Sequence, residues 1–323
     1  MGIYMARSKR IKEEYVSKKN KITWKKIVKQ KELILLTIPF IIYVIIFNYA
    51  PLVGWIMAFQ DYKPKYGIFH SKFIGLENFK YLFVDNTEFL LTIRNTLAMG
   101  VINLFLSFVF AILFALLLNE VRSMKFKKLV QTVSYMPHFL SMIIIVGILK
   151  DVTSIDHGVI NEVLLSLHVI AEPIDVFQMP NLFWWIVGFT GVWKETGWNS
   201  IIYLAAITSI NPDLYEAASI DGAGRLRKMW NITLPSIKPT IFILLLINIG
   251  NVLNAGFEIQ YLLTNPIIKN VAQTIDIYVL KYGISLGNFS RGTAAGIFKS
   301  LVSIILIFIG NSVAKAADEE RLF

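Results

Sequence analysis

The sequence predicts an all-α membrane protein with six transmembrane helices. Three observations carry this: six long apolar stretches, a composition of 55% hydrophobic against 17% charged residues over 323 positions, and basic residues segregated into alternate connecting segments. A soluble domain usually carries about 25% charged residues. The natural solvent of this chain is therefore lipid.

An apolar stretch crosses the hydrocarbon layer when it runs about 17 to 25 residues at about 1.5 Å per residue. Six qualify: Leu33–Phe59, Leu91–Leu118, Leu129–Leu149, Leu182–Ile210, Pro239–Leu263 and Thr293–Val313. Each is apolar around its whole circumference instead of along one stripe. The first is too long for a signal peptide, follows thirty-two residues and lacks a small-x-small cleavage site, so it is expected to be an uncleaved anchor.

The formal charge of +10 would suggest a nucleic-acid partner if it were spread over a folded surface. It is not: residues 1–32 hold eleven Lys and Arg against three acids. No nucleic-acid partner is expected. The run Ile22–Lys29 could form a short basic amphipathic helix on an anionic leaflet, or belong to a solvated tail. Basic residues near the ends of spans stay cytoplasmic. With the amino terminus inside, segments 1–32, 119–128, 211–238 and 314–323 hold 21 basic residues, and the opposite loops hold 8. The chain is thus expected to sit in a bacterial cytoplasmic membrane with both termini in the cytoplasm. The divisions are a basic tail 1–32, a first helix 33–59, an extracytoplasmic loop 60–90, a helical core 91–313 and a C-terminal tail 314–323.

Catalytic chemistry finds no footing. Zero cysteines exclude disulfides, thiolate nucleophiles and thiolate metal sites. No Gly-Lys dipeptide occurs, so no phosphate-cradling P-loop is present. His70, His138, His157 and His168 never fall at i, i+4 around a glutamate, which leaves a zinc site unsupported. The chain is expected to be no enzyme and to bind no metal or cofactor.

The informative connection lies between the fourth and fifth stretches, at 211–235. Asn211-Pro212-Asp213 is helix-starting chemistry, a capping side chain with proline in the first turn. Glu216, Ala217, Ala218 and Ile220 make a short helix of small and acidic residues, and Gly222 and Gly224 break it and allow a left-handed turn. A second limb carries Arg225, Arg227 and Lys228 towards Ile232, Leu234 and Pro235. The result is an L-shaped projection with small side chains outward, suited to insertion into a protein groove. A generic amphipathic loop would explain the basic residues but not the glycine corner.

This loop resembles the signature of ABC importer permeases: Glu-Ala-Ala, three residues, Gly, nine residues, Ile-x-Leu-Pro. Here it reads Glu216-Ala217-Ala218, Gly222, then Ile232-Thr233-Leu234-Pro235, without departure. The resemblance implies the type I ABC importer permease fold. Its 91–313 core would be preceded by an added helix, and 211–235 would dock a separate ATPase through Glu216, Ala217, Ala218, Asp221, Gly222, Ala223, Ile232, Leu234 and Pro235. Trp193–Ala206, Tyr135-Met-Pro-His-Phe139 and Gly296–Leu301 look like the polysaccharide-type branch of carbohydrate permeases. That likeness implies a second permease, two cytoplasmic ATPases that bind ATP and Mg, an extracellular lipid-anchored binding protein and an oligosaccharide substrate. Alternatives are a permease for a non-sugar solute and an ion-coupled secondary transporter. The latter would need more intramembrane acids than Glu195 and Glu258 supply.

A sugar path wants amide and hydroxyl partners beside aromatic rings. Candidates on the fourth stretch are Trp193, Lys194, Glu195, Trp198, Asn199 and Tyr203, and on the fifth Asn248, Asn251, Asn254 and Glu258. The three asparagines, spaced by three, are expected on one helical face, as cavity lining or as helix–helix glue. Trp184 and Trp185 read as interfacial belt or core. Lys194 is placed to pair with Glu195, and Lys299 to snorkel or find a carboxylate.

Overall fold

The structure, a computed structural model, describes residues 29–316. All of the Ile22–Lys29 run but its last residue, and positions 317–323, lie outside the described residues. The described chain forms two compact units, divided after Ile56.

The first unit is built on helix α1 (Lys31–Val44), in which no side chain is buried. Its hydrogen-bond pattern loosens to a π-turn at Ile45–Tyr49 and tightens to a 3-10 stretch over Ala50–Phe59. Pro51 supplies the cause: it has no N–H for the i−4 carbonyl and its ring crowds that carbonyl. The helical run of 29 residues, Lys31–Phe59, is long and apolar enough to cross a membrane.

The second unit opens with a departure from a purely helical chain. Two short antiparallel strands, β1 (Gln60–Asp61) and β2 (Lys72–Phe73), pair Gln60 with Phe73 and Asp61 with Lys72. Asn78 holds the strand entry, its Nδ2 donating to the Ala58 and Gln60 carbonyls at 2.9 and 3.0 Å. The main helices follow: α2 (Thr87–Asn119), α3 (Met124–Tyr135), α4 (Met142–Val152), α5 (Pro180–Thr208), α6 (Pro212–Ile220), α7 (Lys238–Gly250) and α8 (Phe289–Ala316). Asn86, Ser123 and Ser141 cap α2, α3 and α4, each accepting from the amide three residues on.

These helices correspond to the apolar stretches, with two modifications. The third stretch is not one rod: Met124–Phe139 and Met142–Val152 meet at 105°. Pro137 opens a 3-10 turn there, and Leu140 and Ser141 are extended. The fifth stretch bends by 60° where Arg225–Ser236 meets α7. It then stops at Gly250, turns through a left-handed Gly256 (φ +85°), and resumes as Phe257–Leu263. The helix α2 and the helix α8 are long and apolar enough to cross singly, and each bent pair could count as one crossing. With 29 residues, α5 spans about 43 Å, but carries Lys194, Glu195 and Asn199 midway. Six crossings are consistent with this architecture.

Three apolar clusters hold the second unit together. Phe89, Tyr278 and Ala294 anchor one, Met99, Phe183 and Ile259 a second, and Ala115, Tyr203 and Ile237 a third. The third lies where α2, α5 and the start of α7 converge beside the 211–235 loop, and so positions both sites below. Trp184 packs against the second cluster and donates to the Val271 carbonyl at 2.9 Å, whereas Trp185 is exposed.

Candidate functional site

Two features carry the chemistry of the chain: the 211–235 loop and a polar cavity between helices. The loop is determined locally. Asn211 Oδ1 accepts from the Asp213 amide at 3.1 Å, and Pro212 opens α6. The helix ends in a Schellman turn, Ala223 N–H donating to the Ala218 carbonyl at 2.8 Å and Gly222 N–H to the Ser219 carbonyl at 3.1 Å. Gly222 takes the left-handed conformation (φ +73°), and a Cβ there would touch nothing within 4 Å. Backbone freedom, not close contact, requires glycine. Gly224 differs from the expectation: it is extended (φ −68°, ψ 169°) and begins the second limb, so the left-handed turn is made by Gly222 alone.

That second limb, Arg225–Ser236, runs through a π-turn at Met229–Thr233. Tyr215 Oη and Thr233 Oγ1, 2.9 Å apart, tie the limbs together, and Lys228 Nζ donates to Ser219 Oγ. Glu216, Ala217, Asp221 and Pro235 are exposed, and Ala218, Ala223, Ile232 and Leu234 are half-buried. Ile220 (87% exposed), Leu226 (71%) and Trp230 (65%) leave an apolar surface open beside them.

The cavity, of about 260 Å³, lies where α2, α5 and the end of α7 face one another. From the candidate residues it gathers Glu195, Asn199, Tyr203, Asn248, Asn251 and Asn254. The single helical face expected for the asparagines is not what joins them. The helix ends at Gly250, Asn251 is its C-cap, and Asn254 sits in the following turn. That turn folds back so that Asn254 Nδ2 donates to Asn251 Oδ1 at 3.1 Å. Asn248 and Asn251 donate to carbonyls one turn earlier, at 2.8 and 3.0 Å.

Four candidates lie outside this lining. Glu258 is exposed in the first turn of Phe257–Leu263, and Trp193 is exposed on α5. Lys194 and Glu195 come within 3.7 Å, yet each has closer partners. Lys194 Nζ donates to the carbonyls of His138 and Leu140 at 2.7 and 3.0 Å, and Glu195 Oε2 lies 2.8 Å from His138 Nδ1. Trp198 stacks parallel on His138, ring centroids 4.4 Å apart.

Sequence reasoning missed Asn103 and Ser107 on α2, which line the cavity and bond to each other at 3.0 Å. A polar pair at i, i+4 inside an apolar stretch was the available signal. Among the described residues, no group of three His, Cys, Asp or Glu could hold a metal ion.

Residues 107–320 match the family model described as the binding-protein-dependent transport system inner membrane component. The chain belongs to this family. It is a membrane permease component, and the match takes in both the loop and most of the cavity wall. It is 45% identical over 298 residues, 92% of each chain, to a polygalacturonan/rhamnogalacturonan transport system permease protein of Bacillus subtilis. Against the protein LplB of the same organism, identity is 44% over 303 residues, 94% of each chain. Among solved structures, a bacterial ABC transporter involved in import of the acidic polysaccharide alginate contains a chain 37% identical to this one. The two superpose with a TM-score of 0.83 over 91% of this chain and 98% of that one. The alginate transporter in complex with an alginate pentasaccharide-bound periplasmic protein gives 36% identity and 0.84 over 93% and 99%. The permease therefore has the ABC importer permease fold.

Proposed function

We propose that the permease forms half of the path for an acidic oligosaccharide handed over by an extracellular binding protein. A second permease and two cytoplasmic ATPases, which bind the ATP and Mg, complete the importer. The observation that carries this is the polar cavity between the helices. Amides and carboxylates in hydrocarbon are expensive unless they face an interior or an aqueous space, and here six of them, Asn103, Glu195, Asn199, Asn248, Asn251 and Asn254, face one space. Amides offer donors and acceptors together, which suits sugar hydroxyls. The acidic class is supported by the relatives, whose names specify polygalacturonan/rhamnogalacturonan and alginate. In this reading the 211–235 loop is the coupling element. Its preformed corner and exposed apolar rim suit a rigid contact with an ATPase, and both termini lie in the cytoplasm.

Uptake of labelled trigalacturonate, an alginate trisaccharide and neutral maltotriose, by cells with and without the chain, tests the substrate. Loss of uptake of at least one acidic sugar, with maltotriose unaffected, is expected. Loss of maltotriose uptake alone would overturn the acidic assignment.

A further inference from the structure

We propose that Lys194 and Glu195 are positioning residues that lock the elbow between α3 and α4 onto α5. The cavity wall and the helix reaching the 211–235 loop would then move as one body. This rests on the reading of that loop as the coupling element.

The elbow poses a physical problem that the cluster solves. A helix leaves its last carbonyls without partners, and the 105° break after Phe139 leaves such carbonyls within a membrane-spanning region. Lys194 supplies an ammonium with three donors. It reaches the His138 and Leu140 carbonyls at 2.7 and 3.0 Å and the Pro137 carbonyl at 3.5 Å. A cation at that end also complements the helix dipole. The next residue, Glu195, takes the His138 imidazole at 2.8 Å, and Trp198, one turn on, covers its ring face. Between them Gly197 admits the α3 backbone so closely that a Cβ would lie 2.1 Å from the Ser134 carbonyl oxygen. One turn of α5 thus grips the elbow through backbone, charge and stacking together.

The same two elements reach both functional features. Glu195 is part of the cavity wall. Midway along, α3 packs Val130 against the cluster that also receives Met229 and Leu234 of the loop's second limb. Glu120, the C-cap of α2 in the connection that leads to α3, lies 4.0 Å from Arg225. A displacement of the loop is therefore felt by α3 as well as by α2 and α5, and the elbow ties α3 to the cavity wall. Coupling between sites needs an element whose arrangement both sites bias; α3 with its clamp has that placement.

The test uses the cysteine-free background and the full importer in proteoliposomes. Spin labels at exposed Ile143→Cys on α4 and Phe189→Cys on α5 report the elbow-to-α5 distance without and with ATP–vanadate. The parent should give one narrow distribution in both states. Lys194→Met should broaden or shift it and lower uptake of trigalacturonate, presented on the binding protein, at least about fivefold per assembled complex, whereas Lys194→Arg keeps donors and should retain most uptake. A parent distance that changes between nucleotide states would overturn the clamp, even if Lys194→Met fails to assemble. So would a Lys194→Met importer with unchanged distance and uptake. An unsubstituted importer whose ATPase ignores the loaded binding protein would instead overturn the function proposed above.

Discussion

Lys299, midway along α8, closes a two-pronged ion pair with Asp276, its Nζ lying 2.6 and 2.8 Å from the two carboxylate oxygens. Only 17% of the lysine side chain is exposed, so the ammonium does not snorkel. Removing one partner of a buried pair strands the other charge, whereas replacing both by apolar groups is often tolerated. Lys299→Met should therefore cost about 1–3 kcal/mol, less than for a fully buried pair, and Lys299→Met with Asp276→Leu should recover most of the loss. Thermal unfolding of the purified complex in detergent checks both. A double variant no more stable than the single one would contradict the pairing account.

Gly222 should tolerate substitution in the order of left-handed propensity. A non-glycine residue at φ +73° costs on the order of 1 kcal/mol, less for Asn and more for a β-branched side chain. Because a Cβ there meets no atom, Gly222→Asn should retain the ATPases on co-purification, Gly222→Ala lose some and Gly222→Val lose most. Equal retention by all three would show that the corner's shape is not what the partner reads.

Gly197 should respond oppositely, through space instead of conformation. Its Cβ would overlap the Ser134 carbonyl, so Gly197→Ala must push α3 away from α5 at a cost of about 1–3 kcal/mol, as overpacking does. The melting temperature of the complex should fall for Gly197→Ala and fall further for Gly197→Val.

The orientation predicted from basic residues is open to a thiol test in intact cells. Cysteine at Ser123, in an exposed turn before α3, should resist a membrane-impermeant reagent, and cysteine at Ser166, exposed at the end of Val159–Ser166, should react. Labelling in the reverse pattern would invert the topology.

What could be read from the sequence was whatever is local in the chain. The 211–235 loop is set by an Asx cap, a first-turn proline and a left-handed glycine within a dozen residues, so its L shape followed from its letters, although Gly224 turned out extended. Helix breaks were less accessible. Pro137 marks the elbow, but a 105° bend depends on Lys194, 56 residues away, satisfying the opened carbonyl of His138. The partners of Lys299 and Glu195 lie 23 and 57 positions away, and no periodicity relates them. The asparagines were gathered for a different reason than their spacing suggested, because the chain leaves the helix at Gly250 and turns back.

The most direct test of the account is ATP-driven uptake of labelled trigalacturonate, presented on the binding protein, by importers carrying Asn199→Leu or Asn248→Leu. Both side chains line the cavity and both residues are exposed, Asn199 on α5 and Asn248 on α7. The account predicts assembled complexes with ordinary basal ATP hydrolysis and uptake lowered about tenfold or more, as expected when each variant removes an amide worth about 1.4 kcal/mol or more to the passing sugar. Uptake at the unsubstituted rate by both variants would contradict the assignment of this cavity as the translocation path.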